Sequence, residues 1–416
     1  MESRAVPISA SERILTIDVV RGFALLGIFI MNMPWFNTSF FVGADGSRLW
    51  PEWWNVAAET IRDVLFAGKF NSMFSLLFAV GFTIQLDRLE ERDPDHALPL
   101  YLRRLFWLFV FGAIHACFFW TGDILHIYAI FGLLLLALRH APERLLWTLF
   151  ASCVLYTPIM GIIRLIVATP EGMKASIATA NVWVASNNAA YGHGSFLDAA
   201  REHMREMAFL YTDPHNLRFT IGFYILIFTT TLLGLMLGRR RFFQSSAQYL
   251  PTVRRVQWWA LGLGILTGAV YGFWSATVHD PTPTPFRVVA GTCFVLCRLA
   301  IMVFYVTTII RCVHNEKWRR RLAPMSVVGR MPLSNYLLQT LIATSLFYGW
   351  GLGWWGKVGP ALDLVLAFAI FFAIQVPLSH YWLKRHALGP MEYLWRLLTY
   401  GRTSMRGKVL HEPSTA

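Results

Sequence analysis

An all-α, polytopic membrane protein is the fold class this sequence predicts, on three observations. Hydrophobic residues make up 56% of the chain and the mean hydropathy is +0.47. Charged residues are only 15%, against about a quarter in soluble proteins. Between the charged clusters lie apolar segments of about 17 to 25 residues, each long enough as a helix to cross roughly 30 Å of hydrocarbon. A soluble single-core domain is thereby excluded.

The spans fall at about 14–36, 64–85, 104–121, 123–138, 145–167, 219–238, 257–276, 288–311, 332–350 and 361–383, within one membrane domain covering 1–416. The first opens after Arg13. It resembles a signal peptide in its basic start, but Asp18 and Arg21 interrupt the apolar run and no cleavage site follows, so a retained helix is expected. The second lies between Asp63 and Asp87, and the third follows Arg103 and Arg104. A tight turn at Trp120–Asp123 joins the third to the fourth, which ends at Arg139. Arg144, Arg218 and Arg255 precede the next three, Arg287 and Arg311 bound the eighth, Arg330 precedes the ninth and Lys384 closes the tenth. About ten helices result.

Basic residues favour the cytoplasmic side of short loops. With the N-terminus inside, 25 of the 37 Lys and Arg residues, Arg4, Arg13 and Lys408 among them, fall on that side and nine on the other. Both termini are therefore expected in the cytoplasm. The formal charge of +13 is explained by topology and not by nucleic acid. The five cysteines have neither paired spacing nor a soluble framework, so no disulfide scaffold and no metal site is expected.

Two outer connections are long enough to hold structure. Residues 37–63 carry Trp50, Trp53 and Trp54 and suit an interfacial lid. Residues 168–218 contain an amphipathic stretch, Ser195–Tyr211, that places Phe196, Ala199, Ala200, Met204 and Phe209 near one face, for the membrane surface or a cavity. No sequence repeat supports an inverted-repeat transporter.

Polar residues inside spans carry the functional argument, because a charge near the bilayer centre costs at least about 2.5 kcal/mol and needs a partner or a wet cavity. An inner group contains Asp18 and Arg21, three apart on one helix face, with Arg330, Asn335 and Gln339 entering from the same side. These residues either tie helix ends together or bind an anionic donor, for which arginine is suited. An outer group contains Asn32, Lys69, Asn71, His115, Asp123 and His126. Asp123 starts the helix after His115 and is placed to fix the tautomer of an imidazole that moves protons. The plain alternatives are an interhelical hydrogen bond for His115, snorkelling for Lys69 and a helix N-cap for Asp123. Arg298 lies at mid-span with no partner visible in the sequence.

Six segments, RILTIDVVRGFALLGIFIMN (Arg13–Asn32), GKFNSMFSLLFAVGF (Gly68–Phe82), IHACFFWTGDIL (Ile114–Leu125), YGHGSF (Tyr191–Phe196), GRMPLSNYLLQTLIATSLFY (Gly329–Tyr348) and GPMEYLWR (Gly389–Arg396), resemble the YeiB family of bacterial inner-membrane proteins in order. That resemblance implies an inner-membrane location, and descriptions of the family include transport. The pattern Arg13, Asp18, Arg21, Gly22 and Asn32 also resembles the first helix of the heparan-α-glucosaminide N-acetyltransferase group. This second resemblance implies a helical fold and acyl transfer from acyl-CoA on one side of the membrane to a sugar on the other. Asn32 is carried over by its place in the pattern. The group's catalytic histidine after the first span has no counterpart here, since residues 33–62 contain no His.

The expected function is a transmembrane acyltransferase with acyl-CoA as co-substrate and no metal. Asp18, Arg21, Arg330, Asn335 and Gln339 would take the donor, His115 would act as base oriented by Asp123, and Lys69 or Asn32 would steady the oxyanion. Its partners are the lipid bilayer, an acyl donor and an acceptor, with homo-oligomerisation left open. A secondary transporter or exporter, using His115, Asp123 and Arg298 as a path, and a non-catalytic scaffold or sensor are the alternatives.

Overall fold

A computed structural model describes residues 14–278 and 280–406. Arg4, Arg13 and Lys408, used above for topology, lie outside the described residues. Every regular element among those residues is helical, and eight helices are long and apolar enough to cross a membrane. The protein is an all-α polytopic membrane protein. Two of the expected spans correspond to shorter helices, Leu125–Leu138 and Pro332–Phe347.

The first helix, α1 (Leu15–Asn37), is the axis of the bundle. Its apolar residues go all the way round, so it has no solvent face to keep, and 72% of its most apolar window is buried. Around it pack α3 (Lys69–Arg92), α11 (Pro285–Val313), α12 (Glu316–Gly329), α13 (Pro332–Phe347) and α14 (Pro360–Ile370). Glycines permit the closest approaches: a Cβ on Gly27 would enter the ring of Phe70, and one on Gly22 would lie 2.0 Å from the carbonyl oxygen of Met325.

Before α3 comes α2 (Trp53–Leu65), an amphipathic helix with Trp53 and Trp54 exposed. As one straight rod, residues 53–92 would be roughly 60 Å long, twice a bilayer core. The rod breaks at Phe66–Gly68, where Gly68 takes a left-handed φ of 76°. An antiparallel hairpin, α4 (Pro94–Phe118) and α5 (Leu125–Leu138), packs against α3. Its two helices close up at Gly112, whose Cβ would sit 2.3 Å from the backbone nitrogen of His126.

The outer shell includes α6 (Glu143–Val167), α9 (Pro214–Arg239) and α10 (Leu250–Thr277). Leu146 is the single buried residue of α6, and Ile166 and Trp259 are more than three-quarters exposed. Such outward apolar surface suits lipid.

The stretch expected as a loop with one amphipathic helix is two helices, α7 (Pro170–His193) and α8 (Phe196–Thr212). Ser195 and Asp198 cap α8 reciprocally. The expected face of α8 is corrected. Ala199 and Ala200 are buried, but with Glu202, His203 and Glu206, while Phe196 and Met204 are exposed. In a membrane protein the polar stripe finds partners inside the bundle and the apolar stripe faces outward.

The last span is interrupted by one π turn, Phe371–Gln375, before α15 (Val376–Leu383), and α16 (Pro390–Arg406) closes the described chain. The π turn brings Gln375 to α13, where it donates to Asn335 O at 3.0 Å and accepts from Gln339 at 3.0 Å. Such turns recur where a helix must present a side chain off its regular register.

Candidate functional site

At the end of the bundle that holds the start of α1, a cavity of about 280 Å³ opens between α1, α3, α4, α13 and α16. Arg21, Arg88, Arg104, Arg330 and Arg396 line it, and Phe74, Phe78, Phe82, Tyr101 and Tyr128 supply an apolar wall. Arg21 is ion-paired to Asp18 at 3.4 Å. The Arg104 guanidinium lies 3.7 Å over the Trp395 ring, and that indole donates back to Arg104 O at 3.0 Å. Glu392 does not serve the cavity as a charge alone: its carboxylate accepts from the backbone nitrogens of Leu333 at 2.7 Å and Ser334 at 3.1 Å, capping α13.

Of the five residues expected at a donor site, Asp18, Arg21 and Arg330 line this cavity. Asn335 and Gln339 are placed elsewhere. Asn335 donates to Val328 O at 3.2 Å and to Ser379 at 3.1 Å, and Gln339 to Leu25 O at 3.1 Å. They tie α13 to α12, α15 and α1, because the face of α13 that carries them turns toward the π turn.

The cavity runs inward to Ile124, Leu125, Tyr128 and Tyr336. The Tyr336 ring stands 5.2 Å from the ring of His115, and its buried hydroxyl has no hydrogen-bond partner. His115 is 3% exposed. Its Nδ1 is hydrogen-bonded to Asp123 Oδ1 at 2.8 Å, and its Nε2 to Thr340 Oγ1 at 2.9 Å. Thr340 is one helical turn beyond Tyr336, on the same face of α13. Hydroxyl, imidazole and carboxylate therefore stand in the order of a nucleophile, a base and the group that orients the base.

Asp123 also accepts from the backbone nitrogen of His126 at 3.1 Å, in the first turn of α5, and its Oδ2 holds His126 Nδ1 at 2.7 Å. His126 Nε2 continues to the Tyr211 hydroxyl at 2.6 Å, which bonds to that of Tyr224. Asn32 and Asn71 are buried on α1 and α3 and enter none of these bonds.

Lys69 is not brought to His115, which corrects the expected oxyanion role. Its amine donates to Asp63 O at 2.7 Å and lies 5.4 Å from the Phe294 ring, toward α11. The partner of Arg298 is Ser72, at 2.7 Å.

Two residues before Asp123, Thr121 opens a second polar cluster that the residue pattern did not disclose. Its hydroxyl donates to Glu206 Oε2 at 2.6 Å and is 3.0 Å from His203 Nδ1. Tyr191 donates to the same carboxylate oxygen at 3.0 Å. Trp35, Phe40, Trp120, Tyr348 and Trp355 wall the cluster. Burial pushes the Glu206 carboxyl up to about 7 and the His203 imidazole down to about 3. The signal for this cluster was the Glu202, His203, Glu206 spacing within α8, one helical stripe. Thr340 gave none, being 225 residues from His115.

A pH dependence follows. A carboxyl whose folded pKa is raised holds its proton longer in the folded state. Its stabilisation is full below the unfolded value near 4.5 and is lost as pH rises through about 7. The difference is worth about 3 kcal/mol. Melting temperature should fall between pH 5 and 8, and Glu206→Gln should remove that fall and raise the value at pH 8. Equal pH slopes for the two proteins would contradict the assignment.

Comparison with known proteins places the chain. Residues 237–402 match the family model described as "Protein of unknown function (DUF418)". The chain is 31% identical to "Uncharacterized protein YxaH" of Bacillus subtilis (strain 168), over 95% of this chain and 96% of the relative. It is 28% identical to "Uncharacterized protein YeiB" of Escherichia coli (strain K12), over 93% and 96%. A third relative, "Uncharacterized 39.9 kDa protein in amylase 3'region" of Bacillus acidopullulyticus, is 28% identical over 95% and 96%. No solved structure matches.

Proposed function

We propose that this chain, which belongs to the YeiB family, is a transmembrane acyltransferase of the bacterial inner membrane. It takes an acyl group from a cytoplasmic donor such as acyl-CoA and passes it to a hydroxyl or amine acceptor on the outer side. One observation carries this reading: the arginine-lined cavity ends at Tyr336, whose ring abuts His115. A phosphate-bearing donor with an apolar tail matches that gradient from charge to aromatic wall.

The chemistry assigned to the centre balances in two steps. His115 Nε2 takes the Thr340 hydroxyl proton as the oxygen attacks the thioester carbonyl, and returns it to the departing thiolate. The acceptor then gives its proton to Nε2, attacks the acyl-threonine and releases Thr340 as the hydroxyl. Asp123 holds Nδ1–H in place throughout. A covalent carrier suits a donor and an acceptor that approach from opposite sides. The buried Tyr336 hydroxyl, whose ring lies against His115, would donate to the oxyanion.

Binding of acetyl-CoA and longer acyl-CoAs to the detergent-purified protein, followed by thermal shift, tests the donor site. Saturable stabilisation is expected, and Arg21→Ala should weaken it about tenfold, as for a lost charged contact. No stabilisation by any acyl-CoA at millimolar concentration would turn the reading to transport. The hydrogen-bond chain from Thr340 through His115, Asp123 and His126 to Tyr211 favours that second reading as a proton path. Flux in liposomes would then depend on a gradient, whereas acyl transfer needs none.

A further inference from the structure

We propose that the first turn of α3 is a binding site for a small oxyanion, a carboxylate or a phosphate, gripped side-on by Arg298 with Lys69 as the second cation. The site is separate from the His115 centre and does not depend on the acyl-transfer reading.

Arg298 is 2% exposed and Lys69 is fully buried. Neither forms an ion pair among the described residues: the lysine amine donates to Asp63 O, and Arg298 Nη1 donates to Ser72 Oγ. The carboxylate of Asp63 is engaged elsewhere, with Arg62 at 2.9 Å and Ser275 at 3.3 Å. Two buried cations side by side repel each other and have given up hydration, an arrangement that is strongly unfavourable without a counter-charge.

The unused donors define the shape of that counter-charge. Arg298 Nε and Nη2 are buried with no partner. These two nitrogens share one edge of the guanidinium, so their N–H bonds run parallel and match two oxygens of one carboxylate or phosphate. A spherical halide would leave one of them unmet.

The backbone prepares the same point. Arg298 lies across the first turn of α3 because residue 68 is glycine: a Cβ there would meet Arg298 Cδ at 2.7 Å, and the φ of 76° disfavours a side chain in any case. The positive end of a 24-residue helix thus faces two cations. Phe66, Phe70, Phe294 and Tyr305 surround the turn and keep the dielectric low.

Calorimetric titration of the full-length protein in detergent with sodium acetate and with sodium phosphate, against sodium chloride at matched ionic strength, tests the site. Saturable heat is expected from at least one oxyanion and none from chloride, and the responding salt tells carboxylate from phosphate. Arg298→Lys keeps the charge but loses the fork, and should weaken binding about tenfold or more. Lys69→Gln should weaken it too, and carries the test if the first variant does not fold. Absence of saturable heat from both salts, or unchanged affinity in the folded variants, would overturn the proposal.

Discussion

Alanine in place of His115 is expected to lower acyl transfer by about 10² to 10⁴-fold, the usual contribution of a positioned base, while leaving donor affinity within about twofold. The separation follows from geometry. His115 does not line the donor cavity, and the ring of Tyr336, which does, stands 5.2 Å from its own. Thr340→Val should match the alanine variant, because it removes the hydroxyl on Nε2 and keeps the volume. Thr340→Ser should retain most of the rate. Asp123→Asn should cost about as much, since an amide can no longer hold two histidines as an acceptor at 2.8 and 2.7 Å. His126→Ala should cost less, as it bonds to the carboxylate oxygen that His115 does not use. Radiolabelled acyl-CoA gives both readings from one sample: the label retained on denatured protein and the label delivered to an acceptor. Transfer that persists in Thr340→Val without any label on the protein would remove the covalent step and leave His115 acting on the acceptor directly. Full activity in His115→Ala would sink the assignment of the centre.

The sequence discloses such a site unevenly, for physical reasons. His115 and Asp123 were legible because eight residues and a tight turn leave them little freedom to separate. Asp18 and Arg21 were legible because a three-residue step on a helix fixes a shared face. Lys69 was not, since its direction depends on how α3 is rotated. That rotation is set by contacts distant in sequence, such as Phe70 against Gly27 of α1. The buried stripe of α8 is hidden from the sequence for another reason. Periodicity reports which residues share a face but not which face is inside, and lipid reverses the rule that holds in water. Spans with long apolar runs, such as α1, α9 and α11, were plain from composition. The breaks that matter for function, at Gly68 and at the π turn of 371–375, arise from packing and leave only a glycine or a glutamine as a trace.

The largest effect on stability is expected at Gly329, where alanine should cost more than about 3 kcal/mol, the upper part of the range for overpacked sites. A Cβ at this position would lie 1.8 Å from the carbonyl oxygen of Asp18 and 2.8 Å from the nitrogen of Gly22. The contact is reciprocal, since Gly22 meets the carbonyl of Met325. Backbone faces backbone on both sides, so no side chain is available to swing away, and α1 and α12 must separate by roughly 1.5 Å to restore ordinary contact. Asp18 sits at this seam and Arg330 follows it directly, so the separation also moves two residues of the cavity wall. Acyl-CoA affinity should fall with stability. Gly262→Ala in α10 provides the control, because nothing lies within 4 Å of its Cβ, and helix propensity there should leave stability unchanged or raise it by about 0.5–1 kcal/mol. Melting curves of the two variants in one detergent decide the matter. If they coincide, the glycine seam between α1 and α12 is not what sets the inner end of the bundle, and the shared place of Gly22 and Gly329 beside the cavity needs another cause.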